Sequence, residues 1–425
     1  MTTMAKPLLL LVGTGSKDYR RYLLDAISPY YRLHLLSPHE PTWEAPYLFG
    51  WTATPDLTDE AAMAATAKGL DGVDGVLCWD EAYVLPVARL TAALGLPGGG
   101  PDAVAACRDK HGTRTLLAAA GVPQPRSTLV ADVDEALAAA AEIGYPVVLK
   151  PRALAASLGV VRVDDPAALA AQWAFAHDTT VPGAPSYDVS VLVEQYADGP
   201  EISVDAVVHH GTVTPLVLAR KQLGYPPYFE EVGHLVDGAD PLLADERVRR
   251  VLQDTHTALG FADGVTHTEL RLTPSGPMVI EVNARLGGDL IPYLGMLATG
   301  VDPGLAAAAV AGGVEPEVAT DRARVAGVRY FYADADDTVI ETVQFSECDL
   351  PDEVDRLVTL AAPGAVVSPP PKGATFGRVA LATAVAASTE RCLAALDAAG
   401  KALRIAGQPL AGRPLTGRPL TGRPR

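Results

Sequence analysis

A chain of 425 residues is too long for one hydrophobic core, so two or three domains of roughly 100–200 residues are expected. Its 48% hydrophobic content excludes global disorder. With 34 basic against 51 acidic residues the formal charge is −17, which disfavours nucleic acid or an anionic membrane surface as a partner.

From the N-terminus, Pro7–Val12 is a continuous apolar run ending at Gly13-Thr14-Gly15. It reads as a buried parallel strand rather than a signal peptide, because it lacks a full apolar core and a cleavage site. Further strands are predicted at Tyr31–Leu36 and Gly75–Trp79, with helices near 58–69 and 82–94, the latter capped by Gly95. Strands alternating with helices indicate an α/β domain over roughly the first hundred residues. After Pro97-Gly98-Gly99-Gly100-Pro101, helices are expected from 102, over 109–120 and over 133–143. The strand Val147–Pro151 carries Lys150 near its end, a small-residue loop spans Ala153–Gly159, a strand covers Val160–Val163 and a helix 165–177. Strands follow at Val189–Tyr196, Glu201–Val208 and Thr212–Ala219. Residues 223–240, rich in aromatics and acids, read as a substrate-facing loop before a helix at 242–259. The chain is helical from Asp289 to 312, then mixes short strands (Val325–Tyr332, Val379–Ala384) with a helix at 388–402. The last residues repeat Gly-Arg-Pro-Leu-Thr and are expected to be a disordered basic tail. The four cysteines, Cys78, Cys107, Cys348 and Cys392, form no metal or redox motif and suit a reducing cytoplasm. No apolar run reaches the length of a membrane span.

The stretch Thr266–Asp289, THTELRLTPSGPMVIEVNARLGGD, holds the densest chemistry. Two alternating runs flank a Pro-Ser-Gly-Pro turn, the signature of a hairpin with strands near 266–273 and 278–283. Glu281, Asn283 and Arg285 lie two apart and project to one face while the chain stays extended, and Glu269 can lie opposite Glu281. Two carboxylates and an amide oxygen make a hard-oxygen site suited to Mg²⁺, and an adjacent arginine suits a developing anion. Lys150 is the other outlier: an ammonium closing an apolar strand needs a partner.

Lys110, Lys150, the loop with Ser157 and Gly159, Glu194, Glu201 and then Glu269, Glu281, Asn283 and Arg285 occur in an order that resembles the ATP-grasp superfamily, as do "VLVEQY…GPEISVDAVV" and "VIEVNARLGGD". The resemblance implies an α/β ATP-grasp fold: a Rossmann-like pre-ATP-grasp domain (1–100), a two-lobed grasp (101–312) and a smaller C-terminal α+β domain (313–407) before the tail (408–425). It further implies that Lys110 and Lys150 touch ATP phosphates and that the 153–159 loop covers them, although this loop is alanine-rich where the family favours glycine. Backbone around Glu194–Tyr196 would read adenine, and Glu201 would take the ribose hydroxyls. Glu269, Glu281 and Asn283 would hold Mg²⁺, with Mn²⁺ as an alternative. Arg285 would stabilise the transferred phosphoryl group, and His234 would sit near substrate. The motifs "EEVGHLVDG" and "EVNARLGGD" most resemble L-amino-acid (dipeptide) ligases, which implies small-molecule carboxylate and amine substrates joined through an acyl phosphate. Dimers are common in this superfamily, so a homodimer is the assembly the resemblance suggests. Two alternatives stand: a biotin-carboxylase-like ATP-grasp enzyme, whose arginine is followed by Gln-Val-Glu-His rather than Leu286-Gly287-Gly288-Asp289, and an ATP-binding protein without ligase activity.

Overall fold

Five consecutive aliphatic residues leave no polar face, so a strand made of them must be covered on both sides. Leu8–Val12 is such a strand, entirely buried at the centre of a parallel sheet. The computed structural model describes residues 6–181, 183–346 and 348–410; the pentapeptide repeats predicted as a tail lie outside them from 411 onward. The chain divides into two compact units, each assembled from three separate stretches. The first comprises Met1–Gln124, Glu201–Ala219 and Gly238–Ala323; the second comprises Pro125–Pro200, Arg220–Asp237 and Arg324–Arg425.

In the first unit the parallel strands run in the order Leu48–Ala53, Arg32–Ser37, Leu8–Val12, Val73–Leu77. Two of this region's elements were not foreseen. Leu48–Ala53 is an edge strand with no buried residue, and Lys17–Ile27 is a helix that hides Tyr22, Leu23, Leu24 and Ile27 beneath a charged face. The helices Glu60–Gly69 and Val84–Leu94 match expectation, the second ending at a left-handed Gly95.

The first unit also holds an antiparallel sheet, ordered Gly276–Asn283, Gly264–Thr273, Glu201–His209 and the start of Thr212–Gly224. On one face, Ile202, Val204, Leu270, Val279 and Val282 pack against Cys107, Leu117, Val248, Val251, Leu252 and Leu259. Those partners come from the helices Pro101–Arg108, Lys110–Ala119 and Glu246–Leu259. Strand alternation then commits the intervening side chains to the other face. Ile291–Thr299 and Pro303–Ala311 follow as two apolar helices meeting at 107°, and among the described residues no single helix is long and apolar enough to cross a membrane.

The second unit contains a four-stranded antiparallel sheet ordered Ser127–Val130, Val191–Gln195, Val147–Pro151, Val161–Val163. Helices Val133–Ile143 and Pro166–His177 share its core. Each begins at an aspartate, Asp132 or Asp165, whose carboxylate accepts the backbone N–H three residues on. A second antiparallel array pairs the end of Thr212–Gly224 with Glu230–Asp237, then Val325–Tyr332, Arg378–Ala386 and Val354–Thr359. The helix Thr389–Ala402 packs on it through Cys392, Ala395, Leu396 and Ala399. This corrects one expectation: 223–240 is not a loop throughout, because Glu230–Asp237 is a strand between two partners. Val366–Val367, Thr338–Phe345 and Leu403–Pro409 form a small third sheet, and its last strand ends just inside the segment read as tail.

Candidate active site

The polar face of the first unit's antiparallel sheet is ordered by register. Asp205, His267 and Asn283 lie across one row, Ser203, Glu269 and Glu281 across the next, and Glu201 faces Arg271 beyond them. The hairpin therefore places Glu269 opposite Glu281, as its alternation suggested. It does so through a bulge that alternation does not reveal. Glu269 pairs with Glu281 but Leu270 pairs with Val279, leaving Ile280 as the extra residue. The bulge lets Val279 and Val282 both face the helices while Glu281 and Asn283 face the opposite side.

Arg114 fastens this bulge. The side chain is buried, with Nη1 donating to the Val279 carbonyl at 3.2 Å and Nη2 to the Ile280 carbonyl at 2.7 Å. Lys110, four residues earlier on the same helix, brings its Nζ to 3.1 Å from Glu281 Oε1. The two residues share one helix face by their spacing. One helix end thus sets both the backbone and the carboxylate of the hairpin's second strand.

Further charges surround the hairpin. Arg271 is buried and holds Glu201 at 2.8 Å. His267 donates from Nδ1 to the fully buried Asp205 at 2.6 Å, and its Nε2 lies 3.5 Å from Glu269. Burial would depress this imidazole, but hydrogen bonds to Asp205 and then Glu269 outweigh it and raise the pKa to about 9. Asp205 also accepts the Gly287 N–H at 3.2 Å on each oxygen. A Cβ at Gly287 would fall 2.8 Å from His267 Nδ1 and 3.0 Å from Asp205, so the position requires glycine for close approach. Arg285 donates from Nε to Glu81 at 2.5 Å, and Arg108 holds the same carboxylate at 2.6 Å. Burial would raise the Glu81 pKa, yet the two guanidiniums outweigh it and hold the group below the usual carboxylate range.

In the second unit Lys150 and Glu194 sit on adjacent strands, diagonal across one face, and join as a buried ion pair at 2.5 Å. The partner that Lys150 requires is therefore present within the fold. The 153–159 loop holds Ala156 and Ser157 in consecutive left-handed conformations (φ 57 and 55), and Gly159 follows at φ 73 against the Pro151 ring. Tyr196 lies tilted beside Phe229, ring centroids 6.5 Å apart, with the Arg162 guanidinium 4.4 Å above its ring. His234 is fully buried, its Nε2 3.2 Å from Glu231, whose other oxygen accepts from Lys221 at 2.8 Å.

The sequence-predicted residues thus fall into two groups. Lys110, Glu201, Glu269, Glu281, Asn283 and Arg285 belong to the first unit; Lys150, Ser157, Gly159, Glu194, Tyr196 and His234 belong to the second. Sequence reasoning missed Glu81, Arg108, Arg114, Asp205 and His267. Asp205 carried a usable signal, a lone carboxylate inside the apolar run Ile202–Val208. Glu269, Glu281 and Asn283 offer hard oxygen donors on neighbouring rows, a set that fits Mg²⁺. Ser203, opposite Glu269, adds a buried hydroxyl with no hydrogen-bond partner among the described residues, a sign of a face built for more than protein contacts.

The sequence matches the ATP-grasp domain family over residues 143–293, and a second ATP-grasp domain family over 104–155. It is 35% identical over 275 residues to an uncharacterized protein, y4rH, of Sinorhizobium fredii, covering 63% of this chain and 55% of that protein. It is 27% identical over 243 residues to alanine–anticapsin ligase of Bacillus subtilis, covering 52% and 51% respectively. The chain therefore spans about half the length of these relatives. The solved structure of an L-amino acid ligase from Bacillus licheniformis superposes with a TM-score of 0.77 at 24% identity, over 96% of this chain and 100% of that one, a likeness of fold.

Proposed function

We propose that this chain, which matches ATP-grasp domain families over residues 143–293 and 104–155, is an ATP-dependent ligase that joins a carboxylate to an amine, with amino acids or peptides as the substrate class. The observation that carries this reading is the cross-strand row Glu269–Glu281, with Asn283 beside it, Lys110 on Glu281 and Arg285 close behind. A nucleotide-binding protein without chemistry has no need to keep that set intact. Leu286-Gly287-Gly288-Asp289 after the arginine favours the amino-acid ligases over the biotin carboxylases.

In this reading Glu269, Glu281 and Asn283 would hold Mg²⁺, or Mn²⁺, which neutralises phosphate charge when bound. The substrate carboxylate attacks the γ-phosphorus of ATP, releasing ADP and forming an acyl phosphate. The amine then attacks the acyl carbon, phosphate departs, and the amine's proton is lost to give the amide. The protein's own share is placement and charge. Lys110 and Lys150 bind phosphate oxygens, and the tight backbone of 156–159 offers N–H groups to them. The backbone at Glu194–Tyr196 reads adenine, and Glu201, held by Arg271, accepts from ribose hydroxyls. Arg285 offers its guanidinium to the developing anion, kept in place by Glu81. His234, aligned by Glu231, is assigned to the substrate side. The test is phosphate release from ATP in the presence of amino-acid mixtures, with products identified by mass spectrometry. Release that requires both an amine and a carboxylate is expected. Release driven by bicarbonate alone, or no release, would overturn the ligase reading.

A further inference from the structure

The far end of the same antiparallel sheet carries a second group of metal-type ligands with no part in the chemistry above. Strand Glu201–His209 turns into Thr212–Gly224 through His210-Gly211, both at positive φ, a two-residue hairpin turn. The turn is anchored to the segment that enters Gly264–Thr273: Gly211 N–H donates to the Ala262 carbonyl, and His210 N–H to Asp263 Oδ1, each at 2.8 Å. The anchoring brings three side chains together. Asp263 Oδ1 lies 3.3 Å from His209 Nδ1 and 3.6 Å from His210 Nδ1, and the three ligand atoms all fall within 4.8 Å of one another.

We propose that His209, His210 and Asp263 bind a borderline divalent cation of the zinc type, with the remaining position open to water. Three observations carry this. Two ligands held at about 2.0–2.1 Å in a tetrahedral shell stand roughly 3.3–3.4 Å apart; the carboxylate lies 3.3 Å from the His209 imidazole and 3.6 Å from that of His210, a small side-chain adjustment from that spacing. His209 Nδ1 is buried yet makes no hydrogen bond among the described residues, although the carboxylate is near, so this nitrogen is left for a ligand to satisfy. The two rings lie side by side, centroids 4.1 Å apart and 32° from parallel, so both imidazoles are held at the same turn beside Asp263. Nitrogen ligands separate this site from the all-oxygen row at Glu269 and Glu281, which suits Mg²⁺. A bound cation would clamp the hairpin turn to the start of the strand that carries His267 and Glu269, and so stabilise the first unit.

The experiment titrates Co²⁺, a spectroscopic stand-in for zinc, into the metal-free full chain with saturating Mg²⁺ present. One Co²⁺ per chain is expected, with visible ligand-field bands, displacement by Zn²⁺ and a raised melting temperature. His210→Ala is the diagnostic variant: its side chain is 78% exposed, so the fold tolerates its loss, and Co²⁺ affinity should fall at least about tenfold. Asp263→Asn should weaken binding as well. Unchanged affinity and spectrum in His210→Ala, or wild-type binding weaker than about 1 mM, would overturn the proposal. Loss of the cobalt spectrum in His234→Ala with retention in His210→Ala would place the ion elsewhere and overturn it equally.

Discussion

Arg114→Met tests how the bulge at Ile280 is held. Methionine keeps an unbranched apolar stem in the same space but removes both donors. The guanidinium bonds at 3.2 and 2.7 Å go to backbone carbonyls beside a fully buried Val279, with Arg114 itself 5% exposed. A hydrogen bond to a charged group contributes about 1.5–3 kcal/mol, and an orphaned buried carbonyl cannot turn to water. Two such bonds, less some backbone relaxation, give an expected loss of about 3–5 kcal/mol. That loss is read as a lower urea midpoint at constant slope. A second consequence follows from geometry. Without its clamp the bulge can no longer hold Glu281 opposite Glu269, so the Mg²⁺ concentration needed for half-maximal turnover should rise at least about tenfold. A loss below about 1 kcal/mol together with an unchanged Mg²⁺ requirement would refute the reasoning.

Glu281→Gln should lower turnover at least about 100-fold while adenine-nucleotide binding in metal-free buffer survives by calorimetry; a misfolded variant would instead make the hairpin purely structural. Lys150→Met leaves Glu194 buried and uncompensated and should cost about 3–5 kcal/mol as well as weaken ATP binding, and the further change Glu194→Leu should restore most of the stability. Failure of the double variant to recover any would count against the ion pair as the cause. His256 supplies the pH dependence: Nδ1 donates to the Leu252 carbonyl and Nε2 accepts from Thr266, both at 2.7 Å, and burial lowers its pKa from 6.5 to about 4. The unfolded chain takes up the proton first, so this histidine's stabilisation is complete above about pH 6.5 and declines as pH falls towards 4, by about 3 kcal/mol in all. Denaturation midpoints of His256→Gln should vary less over that window than those of wild type; identical profiles would remove His256 as the source.

Where a feature depended on neighbours in the chain, the sequence made it legible. The hairpin, the helix stops at Gly95 and Gly144, and the strand ending at Lys150 all follow from period, turn chemistry and breakers. What depended on distant partners was not. Glu230–Asp237 looks like a loop because Gly233 and paired acids interrupt its alternation; it becomes a strand because Val325–Tyr332 lies beside it. The bulge at Ile280 is invisible until Val279 and Val282 are both seen to face helices. Nothing in the local sequence marks Glu81 and Arg108, and only the fold brings them to Arg285. Each compact unit also draws on three separated stretches, and composition along a line does not report which stretches return to one core.

Gly287 has a consequence for the chain's history. Its missing side chain is what lets its N–H reach both oxygens of Asp205 while His267 occupies the volume a Cβ would need. No one of the three positions can drift alone: a larger residue at 287 collides, and a smaller one at 205 strands a buried imidazolium. Among relatives the three should therefore be inherited or replaced as a block, and a sequence that carries alanine at the glycine should have surrendered the aspartate–histidine pair as well.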